Sequence, residues 1–194
     1  MNQQLIAITG GIGSGKSVVS NILKAFGYLV YDCDSEAKKL MNDSWEIKSE
    51  IAQKISNKVF ELDGSINRQI LAKIVFNDNK SLTQLNSIVH SAVLEDIANW
   101  TKLYQTHHAL FIETAILYQS GLDKYVDEVW EVETPINLRI CRVMLRNNTT
   151  AEEVQSRIDS QHINIEFPHL NTKYIVNDNI NPVLPQILNL IKKF

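Results

Sequence analysis

The sequence predicts an α/β protein built on a parallel sheet, with a helical block inserted early in the chain. Three observations carry this. Leu5-Ile6-Ala7-Ile8 is a short apolar run that opens into a glycine-rich turn, the pattern of a strand buried on both faces. Comparable runs recur at residues 28–31, 109–112, 129–132 and 174–176, separated by helical or polar stretches, and strands alternating with helices build parallel sheets. From Ser35 to about Gln105, by contrast, apolar residues recur at helical spacing: Ile47, Ile51 and Ile55, then Ile70, Ile74 and Val75, then Leu82, Leu85, Ile88, Val89, Ala92 and Val93.

The elements follow in order. Residues 17–26 form a predicted helix with Val18, Ile22, Leu23 and Phe26 on its inner face and Gly27 as its stop. The second strand, 28–31, leads into Asp32 and Asp34. Residues 138–145 read as a helix, Asn147-Asn148-Thr149 as a turn, and Thr150-x-x-Glu153 as a capping box that opens another helix towards Gln161. Residues 182–194 predict a final amphipathic helix with Val183, Ile187, Leu190 and Ile191 inward and Lys192-Lys193 at its negative end.

Composition narrows the classes. The chain has 194 residues, 44% of them hydrophobic, which suits one compact domain with room for a small insertion. A formal net charge of -3 argues against sequence-independent nucleic-acid binding, which needs a positive surface. Cys33 and Cys141 have neither disulfide-framework nor zinc-site spacing. No run approaches the ~18 apolar residues of a membrane span, and the expectation is a cytoplasmic protein. No heptad seam or long apolar patch indicates an oligomeric state.

The most specific signal is Gly10-Gly11-Ile12-Gly13-Ser14-Gly15-Lys16-Ser17, a complete P-loop between a strand and a helix. Glycines let successive backbone N–H groups converge on a phosphate chain, Lys16 adds charge at the β and γ phosphates, Ser17 offers a hydroxyl to Mg²⁺, and the helix aims its positive end at the same anion. Residues 11–17 are therefore the expected ATP-binding segment. A GTPase switch is disfavoured, because the sequence has no Asp-x-x-Gly and no Asn-Lys-x-Asp after an apolar strand. A kinase remains.

A kinase must orient or deprotonate an acceptor hydroxyl and neutralise charge on the moving phosphoryl group. Asp32 and Asp34, at the carboxyl end of the second strand, lie on the ligand-binding side of a parallel sheet; the competing reading is a helix N-cap at Asp34 or Ser35. Glu113 closes the third strand like the acidic end of a Walker B strand, which orders Mg²⁺ through water, and Asp32 is a second such candidate. Four of the five arginines, Arg139, Arg142, Arg146 and Arg157, fall in the helical pair at residues 138–160. Arg139, Arg142 and Arg146 share one helix face, where they could grip triphosphate oxygens as part of a lid, or form a solvated face paired with Glu131, Glu133, Glu152 or Glu153.

With these residues in place, the chain resembles the dephospho-CoA kinases, P-loop enzymes of the nucleoside monophosphate kinase group, nearly end to end. The resemblance is carried by residues 8–17, by Asp32-Cys33-Asp34 where the family has Asp-Ala-Asp, and by Leu85-Asn86-x-Ile88-x-His90. It continues through Val126-Asp127-x-Val129, Arg142-x-x-x-Arg146, Arg157-Ile158-x-x-Gln161 and Val176-Asn177. It implies a three-layer P-loop fold with a five-stranded parallel sheet. The core would be residues 1–34 and 106–194, with a helical acceptor domain at 35–105 and a lid at 138–160. It also implies MgATP and dephospho-CoA as substrates, Asp34 as general base, and Lys16, Arg142 and Arg146 on the transferring phosphoryl. Asn177 would lie near the adenine, and His90 in the acceptor site; from spacing alone His90 reads as a core-edge histidine.

The chain departs from the family pattern at Ser91, where proline is common, at Ala115 and Gln119, where proline and glutamate are common, and at Cys141, often glutamine. Gln119 supplies no carboxylate. The alternatives to this reading are another small-metabolite kinase, such as a nucleoside monophosphate kinase, and a nucleotide-gated binding protein with little turnover.

Overall fold

The computed structural model describes residues 3–161 and 168–194. Strands β1 (Gln4–Thr9), β2 (Val30–Asp32), β3 (Ala109–Glu113), β4 (Glu128–Glu133) and β5 (Thr172–Val176) form one all-parallel sheet in the order β2-β3-β1-β4-β5, the predicted fold class. The first strand is thus central. Ile6, Ala7 and Ile8 are wholly buried, which is why this strand reads as a continuous apolar run rather than an alternating one. Because β1 has β3 and β2 on one side and β4 and β5 on the other, its end is a topological switch point, where a crevice opens at the carboxyl ends of the strands.

Helix α1 (Lys16–Ala25) covers the sheet through Val19 and Leu23, both fully buried. This corrects the predicted inner face: Val18 and Phe26 are 46% and 50% exposed. The sequence offers two interleaved i, i+4 series, 18-22-26 and 19-23, and the phase set by the P-loop turns the second one inward. Gly27, at φ +86°, ends the helix as expected and donates to Lys24 O at 3.0 Å. Strand β2 begins two residues later than predicted because Tyr28 still belongs to the helix exit, its N–H donating to Leu23 O at 3.0 Å. Its ring packs edge-on against Phe111 at 5.4 Å.

Two compact units divide the chain, one comprising Met1–Asp32 with Gln105–Phe194 and the other Cys33–Tyr104. The second holds helices α2 (Cys33–Asp43), α3 (Trp45–Lys54), α4 (Arg68–Asn77) and α5 (Asn79–Leu103) around Ile47, Ile51, Val59, Ile66, Leu71, Val75 and Ile88. Local caps fix its corners: Ser44, Asn67 and Asp78 side chains accept from Ile47, Ile70 and Ser81 N–H. Leu71, not the predicted Ile70, turns inward; Ile70 is 40% exposed.

In the first unit, α6 (Ile136–Asn147) and α7 (Ala151–Gln161) form a hairpin. Asn148 makes the turn at φ +49°, and Thr150 Oγ1 caps Glu153 N–H at 3.3 Å. Its small core joins Val143, Val154 and Ile158 to Ile140, Met144 and Ile12 of the glycine-rich loop. Helix α8 (Val183–Ile191) returns across the sheet, with Ile187 fully buried and Val183, Leu190 and Ile191 partly so.

Lys193 does more than follow the helix end. Its Nζ lies 2.5 Å from Glu128 Oε2, and Glu128, 3% exposed, also accepts from Trp130 Nε1 at 2.6 Å and Asn171 Nδ2 at 3.0 Å. Burial alone would raise the Glu128 carboxyl, but these donors and the Lys193 charge outweigh it and hold the group below its ordinary value. A carboxyl lowered in the fold contributes stability above the unfolded value, near 4.5, and loses it as pH falls through the lower folded value. Glu128→Gln is therefore expected to reduce stability at pH 7 by about 2 kcal/mol and to flatten the acid limb of a Tm-against-pH curve. Superposable curves for variant and parent would contradict this.

Candidate nucleotide site

The loop at the end of β1 is shaped by the close approach of Asn177 and of α6. Gly15 is the N-cap of α1 at φ +95°, and a Cβ there would run into Asn177 Nδ2, which donates to Ser14 O at 2.8 Å. Gly13, at φ +78°, has the Arg139 carbonyl 2.7 Å from where its Cβ would be. Only glycine meets both the torsion and the space. Gly15→Ala is expected to lower Tm and to weaken ATP binding more than about tenfold, since the left-handed torsion alone costs about 1–2 kcal/mol before the Asn177 collision; scanning fluorimetry and calorimetry would check both.

Lys16 Nζ donates to Gly10 O at 2.8 Å and Gly11 O at 3.4 Å, so the ammonium folds back along the loop. Ser17 is exposed at the start of α1, and Ser14 is 1% exposed with an Oγ that has no hydrogen-bond partner among the described residues. Asp32 and Glu113 are register partners at the carboxyl ends of β2 and β3, and Glu113 also faces Ile8 of β1. These two acids close adjacent strands on the loop's side of the sheet.

Asp34 is not a strand-end residue. It lies exposed in the first turn of α2, which begins at Cys33, so neither Asp34 nor Ser35 is the cap of that helix. His90 lies half-buried on α5, where desolvation lowers its pKa and favours the neutral imidazole. The helical unit also contains a cavity of about 760 Å³ lined by Glu46, Glu50, Glu95, Asp96 and Lys54 among others, but not by His90. Gln119 and Cys141 are both exposed.

The arginines of α6 separate. Arg139 Nε donates to Ile12 O at 2.9 Å. Arg142 Nη2 reaches Asn177 O at 3.1 Å, Asn177 Oδ1 at 3.3 Å and Asn179 Oδ1 at 2.6 Å, while its Nη1 is buried with no partner among the described residues. Arg146 is exposed, and its Nε donates to Asn147 Oδ1 at 3.1 Å. No ion pair joins the helix to the glutamates considered for a solvated face among the described residues.

Asn177 is the hub. Its backbone N–H donates to Glu133 O at 2.9 Å, its amide holds Ser14 O, and its two oxygens receive Arg142. Thr134 Oγ1 lies 2.9 Å from Ser14 O and 3.0 Å from Asn177 O. Thr134 and Asn179 were not legible as site residues; the only sequence signal is that each follows a strand by a few positions. Beside this hub lies a cavity of about 460 Å³ lined by Gly11, Ser14, Thr134, Arg139, Val176 and the acids Glu131, Glu133 and Asp178. Burial and the Glu133 charge raise the Glu131 carboxyl.

A strand, a phosphate loop and a hairpin with paired arginines are shared by many kinases, so the loop geometry alone leaves the family open. The family model described as dephospho-CoA kinase matches residues 4–182, nearly the whole chain. The chain belongs to the dephospho-CoA kinase family. A dephospho-CoA kinase of Bacteroides fragilis is 37% identical over 186 residues, covering 96% of this chain and 90% of that one. Among solved structures, a Thermus thermophilus protein superposes with a TM-score of 0.77 at 28% identity, covering 100% of this chain and 96% of that one. The dephospho-CoA kinase of Campylobacter jejuni shares the fold, with a TM-score of 0.68 at 22% identity over 97% of this chain and 96% of that one. In this dephospho-CoA kinase family member the P-loop, the acid pair and the Asn177 hub all occupy the first unit.

Proposed function

We propose that this protein transfers the γ-phosphoryl group of ATP to the 3′-hydroxyl of dephospho-coenzyme A, giving coenzyme A and ADP, the last step of coenzyme A biosynthesis. The observation that carries the reading is a complete P-loop, held in its strand-to-helix turn by Asn177 and α6, in a chain matched by the family model from residue 4 to 182.

Residues 11–17 bind the ATP phosphates with backbone N–H groups, and Lys16 turns its ammonium from the loop carbonyls to the β and γ oxygens. Asp34, a solvent-facing carboxylate two residues beyond β2, accepts the acceptor's hydroxyl proton. Arg142 and Arg146 spread the charge that develops on the moving phosphoryl, with α6 and α7 (residues 138–160) acting as the lid that excludes water. Asn177 sits near the adenine, and His90 in the helical acceptor domain, residues 35–105, contacts dephospho-CoA. The remainder, 1–34 and 106–194, is the nucleotide-binding core.

Ser17, Asp32 and Glu113 would hold Mg²⁺ through oxygen donors suited to it, Ser17 directly and the two acids, register partners on β2 and β3, through water. When bound, the ion supplies charge neutralisation on the β and γ phosphates. No described helix is long and apolar enough to cross a membrane. The substrates assigned here are small metabolites, and the protein acts on them in the cytoplasm without nucleic acid.

The test is ADP release with dephospho-CoA, AMP, CMP or no acceptor in parallel. Dephospho-CoA alone should stimulate. Stimulation by AMP or CMP instead would replace the acceptor assignment with a nucleoside monophosphate kinase. No stimulation by any acceptor would favour a nucleotide-gated binding protein.

His90→Ala is expected to raise KM for dephospho-CoA several-fold while leaving KM for ATP in place. An equal rise in both would remove His90 from the acceptor site.

A further inference from the structure

We infer that Arg139 is a phosphate-contacting residue of the nucleotide site, held in place in advance by the loop it serves. The inference rests on the P-loop binding a nucleoside triphosphate, as proposed above, and adds a residue outside the Arg142-x-x-x-Arg146 pair.

The guanidinium lies against the opening of the loop. A Cβ on Gly11 would sit 2.6 Å from Arg139 Cζ and 3.0 Å from Nη1, so Gly11 leaves the space that the guanidinium occupies. Nε is committed to Ile12 O at 2.9 Å. A guanidinium has five N–H donors in a rigid fork, and among the described residues the Nη groups have no acceptor and no carboxylate pairs with them. Glu131, Glu133 and Asp178 share its cavity without forming an ion pair to it among the described residues.

A half-buried, uncompensated guanidinium is costly unless something anionic completes it. Desolvation pulls its pKa down with no opposing charge to restore it. The anion that chemistry places at Gly11 is a phosphate, because Gly11 and Ser14 of the loop line the same cavity as Arg139, and a P-loop backbone and an unspent guanidinium fork both suit phosphate oxygens. The Ile12 carbonyl fixes the side-chain torsions beforehand, so little rotamer entropy is lost on contact. Arg142 is differently placed: its Nη2 is spent on Asn177 and Asn179.

Wild type, Arg139→Gln and Arg139→Lys would be titrated by calorimetry with Mg-ATP and with inorganic tripolyphosphate, which has no base or sugar. Arg139→Gln should weaken both ligands by about tenfold, the loss of one charge-assisted contact. Arg139→Lys, which keeps the charge but loses the planar fork, should recover part of that loss. KM for ATP should rise while KM for dephospho-CoA stays within about twofold.

Equal weakening in both variants, accompanied by equal falls in Tm, would reduce Arg139 to a brace for Ile12 and overturn the inference. Wild-type-like binding by Arg139→Gln would overturn it too. Failure of the wild type to bind either ligand would instead bring down the proposed nucleotide function, and this inference with it.

Discussion

Replacing Lys16 with alanine should cut kcat/KM by about 10²–10³-fold, the magnitude typical of removing one preorganised charge from a phosphoryl or acyl transition state. The physical reason is local. The loop's backbone donors can still cradle a phosphate chain, but nothing else in the loop carries a full positive charge, and Lys16 is already folded along it at 2.8 Å from Gly10 O. Since that ammonium leaves a carbonyl rather than bulk water, its solvation cost on meeting phosphate is modest. Part of the loss should appear as a raised KM for ATP, and circular dichroism should be unchanged. A variant with near-normal turnover would mean that the loop is a structural turn.

Replacing Asp34 with asparagine should lower kcat by about 10²–10⁴-fold, the usual range for loss of a general base, with KM for ATP unaffected. The exchange is nearly isosteric and Asp34 is exposed, so stability should change little. Asp32→Asn separates the roles: as a ligand acting through water it should shift the Mg²⁺ concentration for half-maximal rate more than the limiting rate. If Asp32→Asn abolished turnover at saturating Mg²⁺ while Asp34→Asn did not, the base would be Asp32.

The parts of this site readable from sequence were those set by near neighbours in the chain. A buried strand, a glycine loop and a helix start are consecutive, so residues 4–25 announce themselves, and the acid at the end of β3 follows from the same strand logic. What could not be read depends on distant packing. The inner face of α1 was ambiguous because Val18, Val19, Ile22, Leu23 and Phe26 contain two helical series, and only the sheet decides that Val19 and Leu23 are buried. The three arginines of α6 were legible as one face, yet partners supplied by the P-loop, by β5's exit and by the neighbouring turn send them to three destinations.

Asn177 illustrates the limit from the other direction. The resemblance implied a place near adenine, whereas its hydrogen bonds tie Ser14 to Arg142. A residue can do both, since its side chain lies on the loop and its chain neighbours Val176 and Asp178 border the cavity beside that loop. Glu128 gave no sequence signal at all. An acid inside a strand reads as an exposed position, and two of its donors come from Asn171 and Lys193, far away in the chain.

The proposed reaction turns on the identity of the acceptor, and the product itself decides it. The purified protein, MgATP and dephospho-CoA should yield coenzyme A bearing one new phosphate on the ribose 3′-hydroxyl, seen by phosphorus NMR and mass spectrometry, with one ADP formed for each. Unchanged dephospho-CoA, under conditions where AMP or CMP gains a phosphate, would contradict the assignment.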